Sequence, residues 1–137
     1  MKTSAVADIG LAATVAGMAL VILDLGRTHC SDALTDVRAI FDEDPIPYGN
    51  DVPPNLVEAA VRCVGRQAAE DAIARLTERA ESAGGAWALG LTARSRALLA
   101  GDEGGPHYRK AIDLLGTTRQ VVETARSRLL CGEWLRR

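Results

Sequence analysis

The sequence has few aromatic residues, few histidines and no excess of either charge. Five of its 137 residues are aromatic, and 16 basic residues stand against 18 acidic ones, for a net charge of -2. A chain this close to neutral has no general attraction for nucleic acid or anionic lipid. Its 47% hydrophobic and 25% charged residues are typical of globular proteins. We therefore expect one folded domain over residues 1–137.

The motifs of the common enzyme classes are also missing. No Gly-Lys dipeptide occurs, which excludes a Walker-type phosphate loop. His29 and His107 lie 78 positions apart, and neither a His-Glu-x-x-His motif nor a Gly-x-Ser-x-Gly elbow is present. The acidic residues from Asp42 to Asp51 lack the ligand spacing of a calcium loop. We expect no enzymatic activity, no bound metal and no cofactor.

Cysteine is scarce as well. Cys30, Cys63 and Cys131 form no Cys-x-x-Cys pair, and none has a histidine at metal-ligand spacing. An odd, unpatterned set of cysteines is typical of a reducing compartment. We predict a cytoplasmic protein.

One long apolar run is present, at residues 9–23. Asp8 and Asp24 flank it and no small-residue cleavage site follows, so it matches a secretory signal poorly. Its length also falls short of the roughly 20 residues that span a bilayer. We predict a buried helix and no membrane association; the alternative is a small helical protein that self-associates, or binds membrane, through this segment.

Helical periodicity dominates the rest of the sequence, and no segment alternates with period two as a half-buried strand does. We predict an all-α chain of about seven helices, because glycines and prolines divide it into seven apolar-periodic segments. These are 5–25, 31–41, 53–65, a stripe from Ala69 to Ala80 that stops at Gly84, 87–100, 106–116 and 120–137, and the longest loop is about 42–54.

A glycine recurs after an apolar helix, at Gly26, Gly65 and Gly101, with separations of 39 and 36 residues. Repeats of this length are typical of stacked helical hairpins. We therefore predict antiparallel pairs stacked as a tetratricopeptide-like right-handed bundle, whose groove binds a partner or ligand. An incomplete stack exposes apolar end faces, which favours self-association of the chain.

The last segment is basic, with seven cations and three anions in residues 107–137. Contact with DNA through this helix is the third alternative, but the helix has no recognition pattern, and a solvated arginine face is the simpler interpretation. The residues best suited to contact a partner or effector are the two tryptophans, one tyrosine and nearby charged groups: Trp87, Arg94, Arg96, Tyr108, Glu133 and Trp134.

Residues 87–137 contain two specific motifs. The first is the run Arg94, Arg96, Ala97, Leu98, Leu99, Ala100, Gly101 and Asp102, and the second is the close Cys131-Gly-Glu-Trp-Leu-Arg-Arg137, with Tyr108, Ala111 and Leu114 between them. This region resembles the last helical repeats of the large LuxR-type transcription regulators of actinobacteria, which are related to the maltose-regulon activator. Residues 22–27 and 56–66 are similar less specifically.

The resemblance implies a regulatory module that binds a protein partner or a small effector. In that family an ATPase domain precedes the repeats and a helix-turn-helix domain follows them. This sequence has the motifs of neither, so the resemblance implies that DNA is bound only through a separate domain. We expect either a piece of a larger regulator or a short product that kept the repeats alone.

Overall fold

A computed structural model describes residues 30–43, 52–63 and 65–137, and all regular structure in these ranges is helical. Within these ranges, one 3-10 turn, Gly101–Glu103, lies between the helix that ends at Ala100 and the helix that begins at Gly105. The six α-helices are α1 (Cys30–Glu43), α2 (Val52–Arg62), α3 (Arg66–Ala83), α4 (Ala86–Ala100), α5 (Gly105–Gly116) and α6 (Val121–Leu135).

Glycine and proline set the ends of the central helices. α3 ends at Gly84, whose φ of 66° is the left-handed conformation that glycine tolerates best, and the Gly84 amide donates to the Ala80 carbonyl at 2.7 Å. Gly101 follows α4 with a φ of 61°. Pro106 lies in the first turn of α5, where its missing N–H costs no hydrogen bond.

Side-chain contacts define the direction of one layer of helices. Glu58 and Arg62 on α2 meet Arg126 and Glu133 on α6 in the same order along both helices. Arg94 on α4 bonds to Glu123 on α6. The carbonyl of Gly101, directly after α4, accepts a hydrogen bond from Trp134 on α6, again in the same order. The helices α2, α4 and α6 are therefore parallel to one another and form one layer.

The intervening helices run the opposite way. α4 and α5 are antiparallel, because Gly90 lies against Leu115 and Ala97 lies against Gly104. On α1 and α3, Arg38 pairs with Asp71, and Arg75 bonds to the Phe41 carbonyl, so these two helices are parallel to each other. Each helix contacts the next along the chain.

Alanine fills much of the core. Leucine and valine occupy the centre of α2, at Leu56 and Val57, while the faces of α3, α4 and α5 bury alanines with 6% exposure or less. Small side chains let helix axes approach closely. The stripe predicted on α3 is largely inside the protein: Ala69, Leu76 and Ala80 are buried and Ile73 is half-buried.

The fold prediction is confirmed for the described part of the chain, which is an all-α bundle with antiparallel neighbours. Six of the seven predicted helices are present, with bounds within a few residues of those expected. The predicted helix at 5–25, with its apolar run 9–23, lies outside the described residues, as do residues 44–51 of the predicted loop. Among the described helices, none is both long enough and apolar enough to cross a membrane.

The cysteines depart from expectation. Cys63 is disulfide-bonded, whereas Cys131 is a half-buried free thiol. Disulfides are rare in reducing compartments, so this bond counts against the basis of the cytoplasmic prediction. An odd number of cysteines does not exclude one bonded pair, and sequence spacing gave no sign of it.

Candidate interaction surface

The central helix α4 buries an arginine that the sequence singled out. Arg94 is 2% exposed, and its Nη1 donates to Glu123 Oε2 on α6 at 2.5 Å. Its buried Nε has no hydrogen-bond acceptor among the residues that the structure describes. Buried charges are tolerated only when paired, so this ion pair ties α4 to the start of α6.

A second buried charge lies on α2. The side chain of Glu58 is 1% exposed and accepts hydrogen bonds from Arg62 at 3.1 Å and from both Nε and Nη2 of Arg126. Arg62 also lies 3.6 Å from Glu133. With the Arg94–Glu123 pair, three arginines and three glutamates alternate across the layer, and their charges balance.

Three of these groups, Arg94, Glu123 and Arg126, border a cleft of about 290 Å³ that all three helices of the layer line. That volume is near the lower limit for small-molecule sites, about 300 Å³. Its polar lining comes from Asn55, Arg94, Glu123 and Arg126, and its apolar lining comes from Val122, Ala125 and Leu129. The cleft can therefore hold an apolar group beside a hydrogen-bonding one.

The outer face of α6 is apolar, and no other element in the described ranges covers it. Four large hydrophobic side chains of the described residues are strongly exposed, and all belong to this helix: Val121 (76%), Val122 (79%), Leu129 (53%) and Leu135 (71%). The opposite face is packed, because Ser127 and Leu130 are buried. α6 is therefore apolar on two faces and covered on one.

Two of the predicted contact residues meet each other. The rings of Tyr108 and Trp134 have centroids 6.1 Å apart and are tilted by 47°. Trp134 also donates from Nε1 to the Gly101 carbonyl at 2.9 Å. Burial raises the pKa of Tyr108 above its usual 10.0, and the positive charge of Arg137 opposes part of that increase. This pair lies at the packed end of α6, away from the cleft lining.

The other predicted residues are separate. Arg94 lines the cleft and Glu133 lies beside Arg62. Trp87 is half-buried, and its Nε1 has no hydrogen-bond partner within the described part of the chain. Arg96 is exposed and donates to Thr77 at 3.1 Å, in a second, more polar cleft between α3, α4 and α5. The six predicted residues therefore do not form one site.

Sequence reasoning missed Glu58, the acid at the centre of the largest ion-pair cluster. Its signal was a lone charge inside the apolar run Leu56 to Val61, where a helix face was expected to be buried. A charge at such a position requires a partner from elsewhere in the fold. In this structure Arg126 and Arg62 supply it.

Over the ranges that the structure describes, no three His, Cys, Asp or Glu side chains are grouped closely enough to hold a metal ion. Comparison with protein-family models, with curated proteins and with solved structures finds no match to this chain. The functional proposals therefore depend on the residues and geometry described above.

Proposed function

We propose that this chain is the regulatory module of a LuxR-type transcription regulator, and that it binds a protein partner or a small effector through its helical repeats. The observation that carries the proposal is the cleft shared by α2, α4 and α6. A ligand in a cleft between three helices contacts all of them, so its binding energy depends on how they pack. No catalytic step is required, and DNA is bound through a separate domain.

The motif residues behind the resemblance also pack together, which supports the proposal. Ala97 from the first motif, Tyr108 from the middle region and Leu130, adjacent to the closing motif, form one buried cluster, with Trp134 against it. Trp134 in turn bonds to Gly101 of the first motif. The two motifs are therefore parts of one structural unit, as expected for a helical-repeat end shared by a family.

The regulatory effect follows from the ion pair at the cleft. Arg94 and Glu123 both line it and join α4 to α6 at 2.5 Å. An occupant that favours or disrupts this pair shifts the balance between two packings of α6, and a shift of that kind is what a repeat module can transmit to other domains. The proposed location is the cytoplasm, where such regulators act, even though a disulfide such as that of Cys63 is rare in a reducing compartment.

The test combines the flanking sequence with transcription. We expect reading frames in phase with this one to encode an ATPase upstream and a helix-turn-helix downstream. We also expect Val122→Asp, in the cleft lining, to change transcript levels of neighbouring genes as deletion does. The matched control is Val121→Asp, equally exposed but outside the cleft lining, which should leave transcripts unchanged. Flanking frames without either domain, together with unchanged transcripts after deletion, would contradict the proposal.

The alternative function depends on residues 9–23, outside the described residues. Retention of the expressed chain in the membrane pellet after carbonate extraction would favour that alternative over the regulatory module.

A further inference from the structure

The exposed face of α6 has the spacing of a helix-docking seam. Val122, Ala125, Leu129 and Gly132 follow one another at intervals of 3, 4 and 3 residues, so they lie on one line along the helix. Val122 and Leu129 are large and exposed, whereas Ala125 and Gly132 are small. We call these four residues the seam, and its first three members, Val122, Ala125 and Leu129, are also the apolar lining of the cleft.

Inside the fold, small residues make room for large side chains of neighbouring helices, and the small residues of the seam could do the same for a partner. Gly90 on α4 accepts the Leu115 side chain, since a methyl group there would lie 2.6 Å from Leu115 Cγ. Gly105 accepts the ring of Trp134 in the same way, at 2.8 Å. At Gly132 nothing lies within 4 Å of the corresponding position. The seam therefore has an open place for a large side chain from another helix.

Charge differs between the two sides of the seam. On the side facing the protein, Glu123, Arg126 and Glu133 are in ion pairs with α4 and α2. Arg128 is exposed on the outer side, and Arg136, four residues after Gly132, is exposed at the C-terminal end of the seam; neither makes an ion pair within the part of the chain that the structure describes. A helix that covers the seam must therefore place its flanking side chains near uncompensated positive charge.

We propose that the seam binds an amphipathic helix of a partner protein, with large apolar side chains on one face and acidic residues along the edge that meets Arg128 and Arg136. The inference rests on the proposed function, because it names the kind of partner that the regulatory module binds. Opposite charges at an interface edge favour the correct partner and speed association. An apolar helix in a groove is an established recognition mode.

Two other occupants fit the seam less well. A second copy that paired α6 with α6 would bring arginine-rich edges together, and like charges at an interface disfavour association. From Val122 to Gly132 the seam is about 15 Å long at 1.5 Å per residue, and the exposed Leu135 extends the apolar surface of α6 by almost one further turn. That length suits about four turns of helix better than a compact small molecule.

The test uses two fluorescent 18-residue helical peptides and the full 137-residue chain. Both peptides carry the same line of leucines at intervals of 3 and 4, and they differ only in flanking residues, glutamate in one and lysine in the other. By fluorescence anisotropy at low salt, we expect the glutamate peptide to bind roughly threefold to tenfold more tightly. In 0.5 M salt, where the Debye length is only about 4 Å, the two affinities should converge.

Variants locate the binding to the seam. The double variant Arg128→Glu, Arg136→Glu should reverse the peptide preference. The double variant Arg109→Glu, Lys110→Glu changes the net charge equally at exposed positions on α5 and should leave the preference unchanged. Leu129→Asp should abolish binding of both peptides, and because Leu129 is 53% exposed the variant should stay folded by circular dichroism.

Three results would overturn the docking proposal: equal affinities for the two peptides, no binding of either, or a concentration-dependent dimer in light scattering that Leu129→Asp makes monomeric. The third identifies a second copy as the occupant. If the peptides fail while Val122→Asp still alters transcripts, only the docking surface is wrong. If the peptides bind as expected but the flanking frames encode neither domain and deletion leaves transcripts unchanged, the docking surface stands and the regulatory assignment is wrong.

Discussion

Two arginines that reach Glu58 from different directions offset the cost of burying its side chain. Arg62 comes from one turn further along α2, and Arg126 comes from α6. Both arginine side chains keep about 30% of their surface exposed, so their own desolvation is partial. The cluster therefore places most of its desolvation cost on one residue.

Replacement of Glu58 tests that arrangement. We expect Glu58→Ala to lower the free energy of unfolding by about 2 to 4 kcal/mol, because it leaves two arginines without their buried partner. The measurement is urea denaturation. The matched control is Glu70→Ala, which breaks the exposed pair with Arg66 and should cost less than about 0.5 kcal/mol. Equal losses in the two variants would show that burial of Glu58 does not matter.

Tyr108 gives the protein a pH dependence in the alkaline range. Burial raises its pKa in the folded state above the ordinary 10.0, so the unfolded chain loses this proton first as pH rises. The stabilisation from the neutral phenol is complete below pH 10.0 and is lost as pH rises through the folded-state pKa. We expect the unfolding free energy of the natural protein to decrease, relative to that of Tyr108→Phe, as the pH rises above 10.0. The measurement is urea denaturation of both proteins from about pH 9 to pH 11. A constant difference between their unfolding free energies over this range would contradict the prediction.

Among the helices, glycine plays opposite roles on α4 and α6. At Gly90 the space that a side chain would occupy is filled by Leu115, which is completely buried. The corresponding space at Gly132 is empty among the described residues. Glycine therefore allows a close contact between helices on α4, whereas on α6 it leaves a space that no side chain uses. The difference follows from α4 lying between neighbours and α6 having an uncovered face.

The two glycines therefore predict opposite results for one substitution. Gly90→Ala should lower the unfolding free energy by about 1 to 2 kcal/mol, because overpacking against Leu115 exceeds the gain in helix propensity. Gly132→Ala should raise it by about 0.5 kcal/mol, because only the propensity gain applies. Thermal and urea unfolding of both variants give the comparison. Stabilisation by Gly90→Ala would mean that Leu115 moves aside freely.

Most helix bounds were predictable because local residues determine them. Gly84, Gly101 and Pro106 lie where the predicted breaks were placed. α4 has no one-sided stripe, since it is buried on nearly every side, and it was found from the glycines around it instead. On α6 the sequence places Leu129 and Leu130 side by side, and only contacts from other helices decide that Leu130 is buried and Leu129 is exposed.

For the whole molecule, the candidate site was less predictable than the fold. Arg94 was identified from its position near a tryptophan and from the planar geometry of its guanidinium, but its partner Glu123 lies 29 residues away. The link between Glu58 and Arg126 spans 68 residues. Local periodicity contains no information on such distant pairs, so the cleft and its charge cluster emerge only when three helices are assembled into a layer.

That 68-residue span has a kinetic consequence. Hairpins that close over short turns form early, whereas a contact between distant positions must wait until the intervening helices have assembled. We therefore expect the Glu58–Arg126 pair to form after the folding transition state and to open before the bundle separates. Weakening the Glu58–Arg126 pair should speed unfolding and leave the refolding rate unchanged. The lifetime of the native state would then depend on an ion pair that is not needed for folding.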